Sequence, residues 1–198
     1  IMEHFAEKDA RIRLVDVKSN EAFWGSKKYA LTLGIKKAAN KRMLFTDADC
    51  RPASTSWIRL MVSQFSEEKQ IILGYSGYLR RPGLLNALIR FETIITAIQY
   101  FAYALRGNPY MGVGRNLAYT SNVFYAHGGF TSHMNVLSGD DDLFVNKAAT
   151  ATNTALQYHP DSFTYSIPKK KWKHWFQQKR RHSSTASRYK PKHKVLLG

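Results

Sequence analysis

Acidic residues and cysteine are scarce in this chain, and both scarcities limit the classes of protein to which it can belong. Only 14 of the 198 residues are Asp or Glu, against 30 Lys and Arg, so the formal net charge is +16. The single cysteine, Cys50, excludes an internal disulfide framework and a zinc site built from several cysteines. The N-terminal residues mix charged and apolar side chains and contain no signal-peptide pattern. We expect one globular domain with a sizeable core. Because the chain begins without methionine and ends abruptly, we also expect a fragment of a longer protein.

The excess of positive charge is concentrated near the C-terminus. Residues 162–198 include eleven Lys and Arg and no Asp or Glu, and the rest of the chain is much closer to neutral. Such a segment attracts polyanions, which include nucleic acid, an anionic membrane surface and a phosphorylated substrate. The interleaved Trp172, Trp175 and Tyr189 suit either a membrane interface or a nucleic acid.

Predicted strands and helices alternate along the first part of the chain. The apolar pattern predicts strands over residues 11–17, 42–46 and 70–78, and helices over residues 24–40 and 54–65. This alternation is typical of an α/β fold with a largely parallel sheet. Ligands of such sheets bind beyond the carboxyl ends of the strands, which is where Asp47 and Asp49 fall.

The longest apolar segment, residues 84–105, predicts a helix that has two interpretations. It has about the length that spans a bilayer, roughly 20 residues. Arg90 and Glu92 near its middle argue against spanning. We therefore expect either a helix that faces the core or a helix that lies in a membrane interface.

Two acidic clusters are candidate sites. In Asp47-Ala48-Asp49, two carboxylates directly follow a predicted strand and can converge on one hard cation, which commonly also binds substrate phosphates. In Gly139-Asp140-Asp141-Asp142, three adjacent carboxylates repel one another, so at least one should have a raised pKa and could act as a general base. The alternatives are a solvated turn for the first cluster and a helix N-terminus for the second.

Two further segments carry residue types that bind phosphate or allow a ligand to come close. Residues 177–182 (Gln-Gln-Lys-Arg-Arg-His) contain arginines that can grip phosphate with paired hydrogen bonds and glutamines that can bind a hydroxyl. The alternative for this run is a solvated basic helix. Residues 112–116 (Gly-Val-Gly-Arg-Asn) contain glycines that permit close backbone approach to a ligand.

Taken in order, these segments resemble the family 2 glycosyltransferases of GT-A fold, especially the membrane-associated members related to cellulose, hyaluronan and ceramide sugar transferases. Asp47-Ala48-Asp49 matches the D-x-D motif, so the resemblance implies that Asp49 coordinates the metal and that Asp47 lies by the ribose and the metal. Lys28 falls in a segment that resembles the one where a basic residue lies near the nucleotide. Residues 138–143 resemble the E-D-x-D-L or G-D-D segment, which implies that Asp140 deprotonates the acceptor hydroxyl.

The same resemblance extends to the C-terminal run and to the acceptor side. Residues 177–181 resemble the Q-x-x-R-W motif: Gln177 and Arg180 match it, whereas Arg181 stands in place of the tryptophan. By resemblance, Gln177 and Arg180 contact the donor diphosphate together with Lys28 and Asp47. The residues implied on the acceptor side are Gly114, Arg115, Asn116 and Asp141.

For the whole chain, the resemblance implies a GT-A fold with a mostly parallel central sheet, flanking helices and the first strands missing. Residues 1–167 would form the catalytic domain, and residues 168–198 a basic interface segment. The implied activity is inverting transfer of a sugar from a nucleoside diphosphate, by resemblance a UDP-sugar, with Mg²⁺ or Mn²⁺ as cofactor.

The resemblance also implies partners and a location. The acceptor would be a saccharide or a lipid, and the product an envelope polysaccharide or a glycolipid. The reaction would take place on the anionic cytoplasmic face of the inner membrane, with segments outside this chain as the anchor.

Three rival interpretations stay open. A nucleic-acid-binding module would explain the charge and the interleaved aromatic residues, but the two acidic clusters would repel phosphates, so we expect no nucleic acid partner. A membrane-associated scaffold without activity would explain the replaced tryptophan. Another metal-dependent phosphoryl or nucleotidyl transferase would use the same acidic residues.

Overall fold

The structure of the protein, a computed structural model, describes residues 2–17, 26–136 and 138–197. The helices are α1 (Met2–Lys8), α2 (Ser26–Lys37), α3 (Trp57–Val62), α4 (Leu84–Leu105), α5 (Ser121–Ala126), α6 (Asp142–Ala148), α7 (Trp172–Ala186) and α8 (Pro191–Leu197). The strands are β1 (Arg42–Phe45), β2 (Cys50–Pro52), β3 (Ile71–Gly74), β4 (Ser76–Tyr78), β5 (Leu117–Thr120), β6 (Thr154–Gln157) and β7 (Thr164–Ser166).

The central sheet has four strands in the order β1-β5-β3-β6. β5 pairs antiparallel with β1 and with β3, whereas β3 and β6 are parallel. The expected mostly parallel sheet is therefore not confirmed, because most pairings between neighbours in this sheet are antiparallel. β1, β3 and β6 nevertheless run in the same direction, with β5 reversed among them. The ends of β1 and β3 and the start of β5 consequently lie at one edge of the sheet.

Side chains on the two faces of the central sheet build two hydrophobic clusters. Ile71 and Leu73 of β3 belong to the larger cluster, which also contains Phe144 of α6. Ile72, between them, belongs to the smaller cluster with Met61 of α3. This alternation follows from the two-residue period of a strand. Helices therefore cover both faces of the sheet, as the α/β pattern of the sequence predicts.

The apolar run over residues 70–78 forms two strands rather than the single strand expected. β3 belongs to the central sheet, and β4 pairs with β7 in a second sheet of order β2-β7-β4. The chain changes sheets beside Asn116, whose side chain is so close to Gly74 that a Cβ atom there would lie 2.6 Å from Asn116 Nδ2. β4 (Ser-Gly-Tyr) follows β3 after a single residue, Tyr75, so the sequence pattern alone does not show where the chain crosses.

The strand expected over residues 11–17 is wrong. These residues contact α2 instead, through hydrogen bonds from Arg13 Nη1 to the Lys37 carbonyl (3.3 Å) and from Lys37 Nζ to the Leu14 carbonyl (2.7 Å). Alternating side chains favour a strand only where a neighbouring strand packs beside them. Among the strands of the described ranges, none pairs with residues 11–17.

The helix expected over residues 84–105 is confirmed at both ends by α4. α2 is shorter than the helix expected over residues 24–40, and Trp24 lies outside the described residues. α3 likewise covers only the middle of the helix expected over residues 54–65. In the part of the chain that the structure describes, no helix is long and apolar enough to cross a membrane.

Candidate active site

A cleft of about 570 Å³ opens at the edge of the central sheet where β1 ends and β5 begins. Its walls come from the start of α2, the residues after β1, one face of α4, the loop before β5, the turn before α6 and one face of α7. The two acidic clusters, the glycine-containing loop and the basic run thus reach one place, although they are far apart in the sequence.

Lys27, near the start of α2, joins the two acidic clusters. Its Nζ atom lies 3.1 Å from Asp47 Oδ1 and 2.8 Å from Asp140 Oδ2. Burial works to lower the pKa of Lys27, but the carboxylates of Asp140 and Asp47 outweigh it and hold the pKa above its ordinary value. The ammonium therefore stays charged and partly neutralises two carboxylates that belong to different elements.

Lys28 and Asp49 do not line the cleft. Lys28 is buried, and its Nζ atom donates to the carbonyl of Ser138 at 2.6 Å and to that of Val136. Burial lowers the pKa of Lys28. Asp49 is exposed on the turn between β1 and β2. The basic residue of this segment that faces the cleft is therefore Lys27, which the sequence interpretation passed over, and a metal-binding role for Asp49 stays a prediction.

The turn that carries the second acidic cluster gives each carboxylate different partners. Gly139 has a φ of +94°, a conformation that favours glycine, and a Cβ atom there would overlap Leu143. Asp140 faces the cleft and Lys27. Asp141 accepts hydrogen bonds from its own helix and from the loop before β5: the Asp142 N–H donates to Oδ1 at 2.8 Å, and the Gly114 N–H donates to Oδ2 at 2.7 Å. Asp141 and Gly114 thus fix the loop against the turn.

Asp142 attaches this turn to the C-terminal segment. Its Oδ2 atom accepts hydrogen bonds from the Tyr189 hydroxyl at 2.9 Å and from the Thr185 hydroxyl. Burial raises the pKa of both Asp141 and Asp142, and repulsion from Asp140 adds to the effect, while their hydrogen-bond donors oppose it. The pKa of both residues is raised in the expected direction, but burial is the main cause and repulsion between carboxylates a secondary one.

Arg115, expected on the acceptor side, connects the small sheet to the loop before β5. Its guanidinium donates to the carbonyls of Ser76 (3.2 Å) and Gly77 (3.3 Å) and to Ser166 Oγ (3.1 Å). It also lies over the ring of Tyr78, 4.4 Å from the ring centroid. Arg115 still lines the cleft, but its donors are largely committed to the protein.

Asn116, also expected on the acceptor side, is fully buried and does not line the cleft. Its Nδ2 atom donates to the carbonyls of Tyr75 and Ser162, both at 2.8 Å. Its Oδ1 atom accepts a hydrogen bond from Trp57 Nε1 at 2.9 Å. The side chain therefore joins three segments at the place where the chain passes from one sheet to the other.

We expect Asn116→Ala to lower the free energy of unfolding by about 2–4 kcal/mol, because it leaves buried donors and acceptors without partners. Urea denaturation at an unchanged m-value measures the loss. The exposed Asn40 supplies a matched control, and Asn40→Ala should change stability by about 0.5 kcal/mol at most. A loss below about 1 kcal/mol for Asn116→Ala would contradict the structural role of this side chain.

α7 presents Gln178 and Arg181 to the cleft. Gln178 Nε2 donates to the Tyr78 hydroxyl at 3.3 Å. Gln177 and Arg180, the pair selected from the sequence, are exposed and do not line the cleft. Gln178 and Arg181 have the same Q-x-x-R spacing one residue later in the chain, and both line the cleft.

The rotation of α7 about its axis is set by contacts along its length. Lys179 pairs with Glu92 of α4, and Thr185 bonds to Asp142. Thr185 follows Arg181 by four residues and Gln178 by seven, spacings that place all three on one face of a helix. In this register His182 stands in the sequence where the motif has tryptophan.

The carboxylates of the cleft fit a hard divalent cation when a ligand's phosphates complete its coordination. Asp47 and Asp140 face one point and offer the oxygen ligands that Mg²⁺ and Mn²⁺ prefer. Across residues 2–17, 26–136 and 138–197, no three His, Cys, Asp or Glu side chains are grouped so that they could hold a metal ion. Mg²⁺ is commonly bound by one or two carboxylates plus substrate phosphates, and the residues present suit that use.

These features define an α/β domain with a charged cleft at the edge of its central sheet. Its structure is similar to that of the mannosyltransferase PcManGT from Pyrobaculum calidifontis, solved in complex with GDP-Man and Mn²⁺. The TM-score is 0.64 at 18% sequence identity, and the match covers 95% of this chain and 50% of that one. A scan of family models and a search of curated proteins gave no match. The chain therefore has a fold found in a glycosyltransferase and spans half the length of that protein.

Proposed function

We propose that the protein transfers a sugar from a nucleoside diphosphate to an acceptor hydroxyl, with inversion at the anomeric carbon. The observation that carries the proposal is the convergence of a candidate base, Asp140, a candidate metal ligand, Asp47, and two cations, Lys27 and Arg181, in one cleft. The likeness to a mannosyltransferase solved with GDP-Man and Mn²⁺ supports it.

In the proposed reaction, Asp140 takes the proton of the acceptor hydroxyl. The acceptor oxygen then bonds to the anomeric carbon while the bond from that carbon to the diphosphate breaks, and the electron pair leaves with the diphosphate. Lys27 and Arg181 face the leaving group and balance its charge, and Gln178 lies beside them. A divalent cation at Asp47 would neutralise further negative charge on the diphosphate.

We propose a nucleoside diphosphate sugar as donor, with UDP favoured by the family resemblance and GDP as the second candidate. The acceptor is a saccharide or a lipid, and the setting is the cytoplasmic face of the inner membrane, in envelope polysaccharide or glycolipid synthesis. Support for the membrane setting comes from residues 168–198, whose Lys and Arg side chains would each contribute roughly 1 kcal/mol near an anionic surface.

Calorimetric titration of the protein with UDP and GDP, each with and without Mn²⁺, tests the proposal. We expect at least one of the two to bind, and Mn²⁺ to strengthen that binding about 10-fold or more, because a divalent cation held by Asp47 would neutralise phosphate charge. Mn²⁺ alone should bind far more weakly, since Lys27 already contacts both carboxylates.

A random DNA oligonucleotide is the control ligand for the rival interpretation. Salt-dependent binding of this DNA, with no metal-dependent binding of either nucleotide, would contradict the proposal and favour a nucleic-acid-binding module.

A further inference from the structure

The outward face of α4 is apolar and exposed along the whole helix. Its large side chains, which we call the α4 outer stripe, are Leu84, Phe91, Ile94, Ile95, Ile98 and Leu105. They are 42–77% exposed. Four of them recur every seven residues, which keeps them on one side of the helix over a length of about 30 Å. An uninterrupted apolar surface of this kind marks an interaction site.

Within the described residues, packing does not account for the α4 outer stripe. The opposite face of α4 supplies Ile89 and Tyr100 to the protein interior and to the wall of the cleft. Glu92, on the flank of the helix, is paired with Lys179. A helix that only covers a core has a polar outer face, and α4 does not. One face of α4 therefore fits a helix that packs on the core, and the other fits a helix that lies in a membrane interface.

Arginines border the N-terminal end of the stripe. Arg80, Arg81 and Arg90 line one open cleft together with Leu84, the first residue of the stripe. Guanidinium groups pair well with phosphate, so this end of α4 suits phosphate groups beside an apolar phase.

Aromatic side chains are exposed on the face of α7 that contacts α4. Trp172 and Phe176 are 44% and 60% exposed. They precede Lys179 by seven and by three residues, so they lie on the face of α7 that contacts α4 through Glu92. Exposed aromatic rings beside lysines are enriched at the boundary between lipid and water.

We propose that the α4 outer stripe docks onto the surface of an anionic lipid bilayer, with α4 lying in the plane of the interface. The apolar side chains enter the boundary between headgroups and acyl chains, and the bordering arginines contact lipid phosphates. This inference rests on the proposed membrane setting and deepens it. It assigns the main contact to the exposed face of α4, for which the sequence left a membrane interface as one of two interpretations, rather than to residues 168–198.

A second copy of the chain is the other occupant that a seven-residue apolar spacing suggests. Each copy carries a formal charge of +16, so pairing would bring two strongly cationic chains together. An anionic surface is attracted by the same charges. The charge of the chain therefore favours lipid over self-association.

Co-sedimentation with vesicles tests the docking surface, with phosphatidylcholine containing phosphatidylserine against phosphatidylcholine alone. Ile98→Asp places a charge in the middle of the stripe, and Ile58→Asp on α3 is its matched control, because the two isoleucines are 58% and 60% exposed. We expect wild type and Ile58→Asp to bind the anionic vesicles equally. Ile98→Asp should bind them at least about 10-fold more weakly. Arg80→Gln with Arg81→Gln should weaken binding to the anionic vesicles only.

Equal vesicle binding by Ile98→Asp and wild type would overturn the proposal. So would a wild-type dimer, seen by light scattering, that Ile98→Asp converts to a monomer, because the stripe would then be covered by a second copy.

Nucleotide titration of the same variants keeps the two proposals separable. Wild-type vesicle binding without nucleotide binding would contradict the sugar-transfer function alone, and nucleotide binding with no stripe-dependent vesicle binding would contradict the docking surface alone.

Discussion

Asp140→Asn should lower the turnover number about 10²–10⁴-fold while leaving the affinity for the nucleoside diphosphate within about threefold. Asparagine has nearly the same shape as aspartate, but it cannot take a proton from the acceptor hydroxyl. The cations that line the cleft stay in place, since Lys27 keeps its ion pair with Asp47. Steady-state rates at saturating donor measure the first effect, and calorimetry measures the second.

The control for this substitution is Asp161→Asn, which removes a surface carboxylate outside the cleft and should leave both quantities unchanged. Wild-type turnover in Asp140→Asn would exclude Asp140 as the base. A parallel loss of turnover and of nucleotide affinity would instead assign Asp140 to donor binding.

Arg181→Ala should weaken nucleoside diphosphate binding about 10- to 100-fold, because it removes a charge-assisted hydrogen bond to phosphate. Arg180→Ala removes the same charge from the next residue of the same helix, so the pair separates a specific contact from general electrostatic attraction. Arg180 does not line the cleft, whereas Arg181 does, so the substitution of Arg180 should change the affinity by about twofold at most. Calorimetry at two salt concentrations measures both variants.

The opposite ranking would restore the register of Gln177 and Arg180 that the sequence suggests. Equal losses in both variants that shrink together at higher salt would show that α7 attracts the diphosphate only through its overall charge.

Much of the fold follows from strong local signals. The long apolar segment fixes both ends of α4, and the short apolar run before Asp47 forms β1. The strand expected over residues 11–17 has an equally clear alternation, but its formation depends on a neighbouring strand, which its own sequence does not specify. The change of sheets at Gly74 depends on the side chain of Asn116, which is 42 positions away in the chain and becomes a neighbour only after folding.

In the candidate site, the sequence likewise does not show which of two adjacent residues on a helix faces the cleft. Lys27 and Lys28 are adjacent, as are Arg180 and Arg181, so neither residue type nor spacing distinguishes them. Neighbouring residues on a helix point about 100° apart, and packing decides which of them faces the cleft. For the lysine pair, the sequence does contain one signal that Lys28 faces away from the cleft. Lys28 precedes Leu31 by three residues and the buried Ile35 by seven, which places it on the apolar side of α2.

α4 lines the cleft with one face and carries the outer stripe on the other, and this arrangement has a thermodynamic consequence. Ile89 contributes to the wall of the cleft, and Phe91, two residues later, is 63% exposed on the opposite side. A single helix therefore contributes to both of the proposed binding surfaces. By linkage, whatever factor the lipid surface applies to the affinity for the nucleotide, the nucleotide applies to the affinity for the lipid. Under the two proposals, occupancy of the cleft and residence at the membrane would report the same coupling free energy.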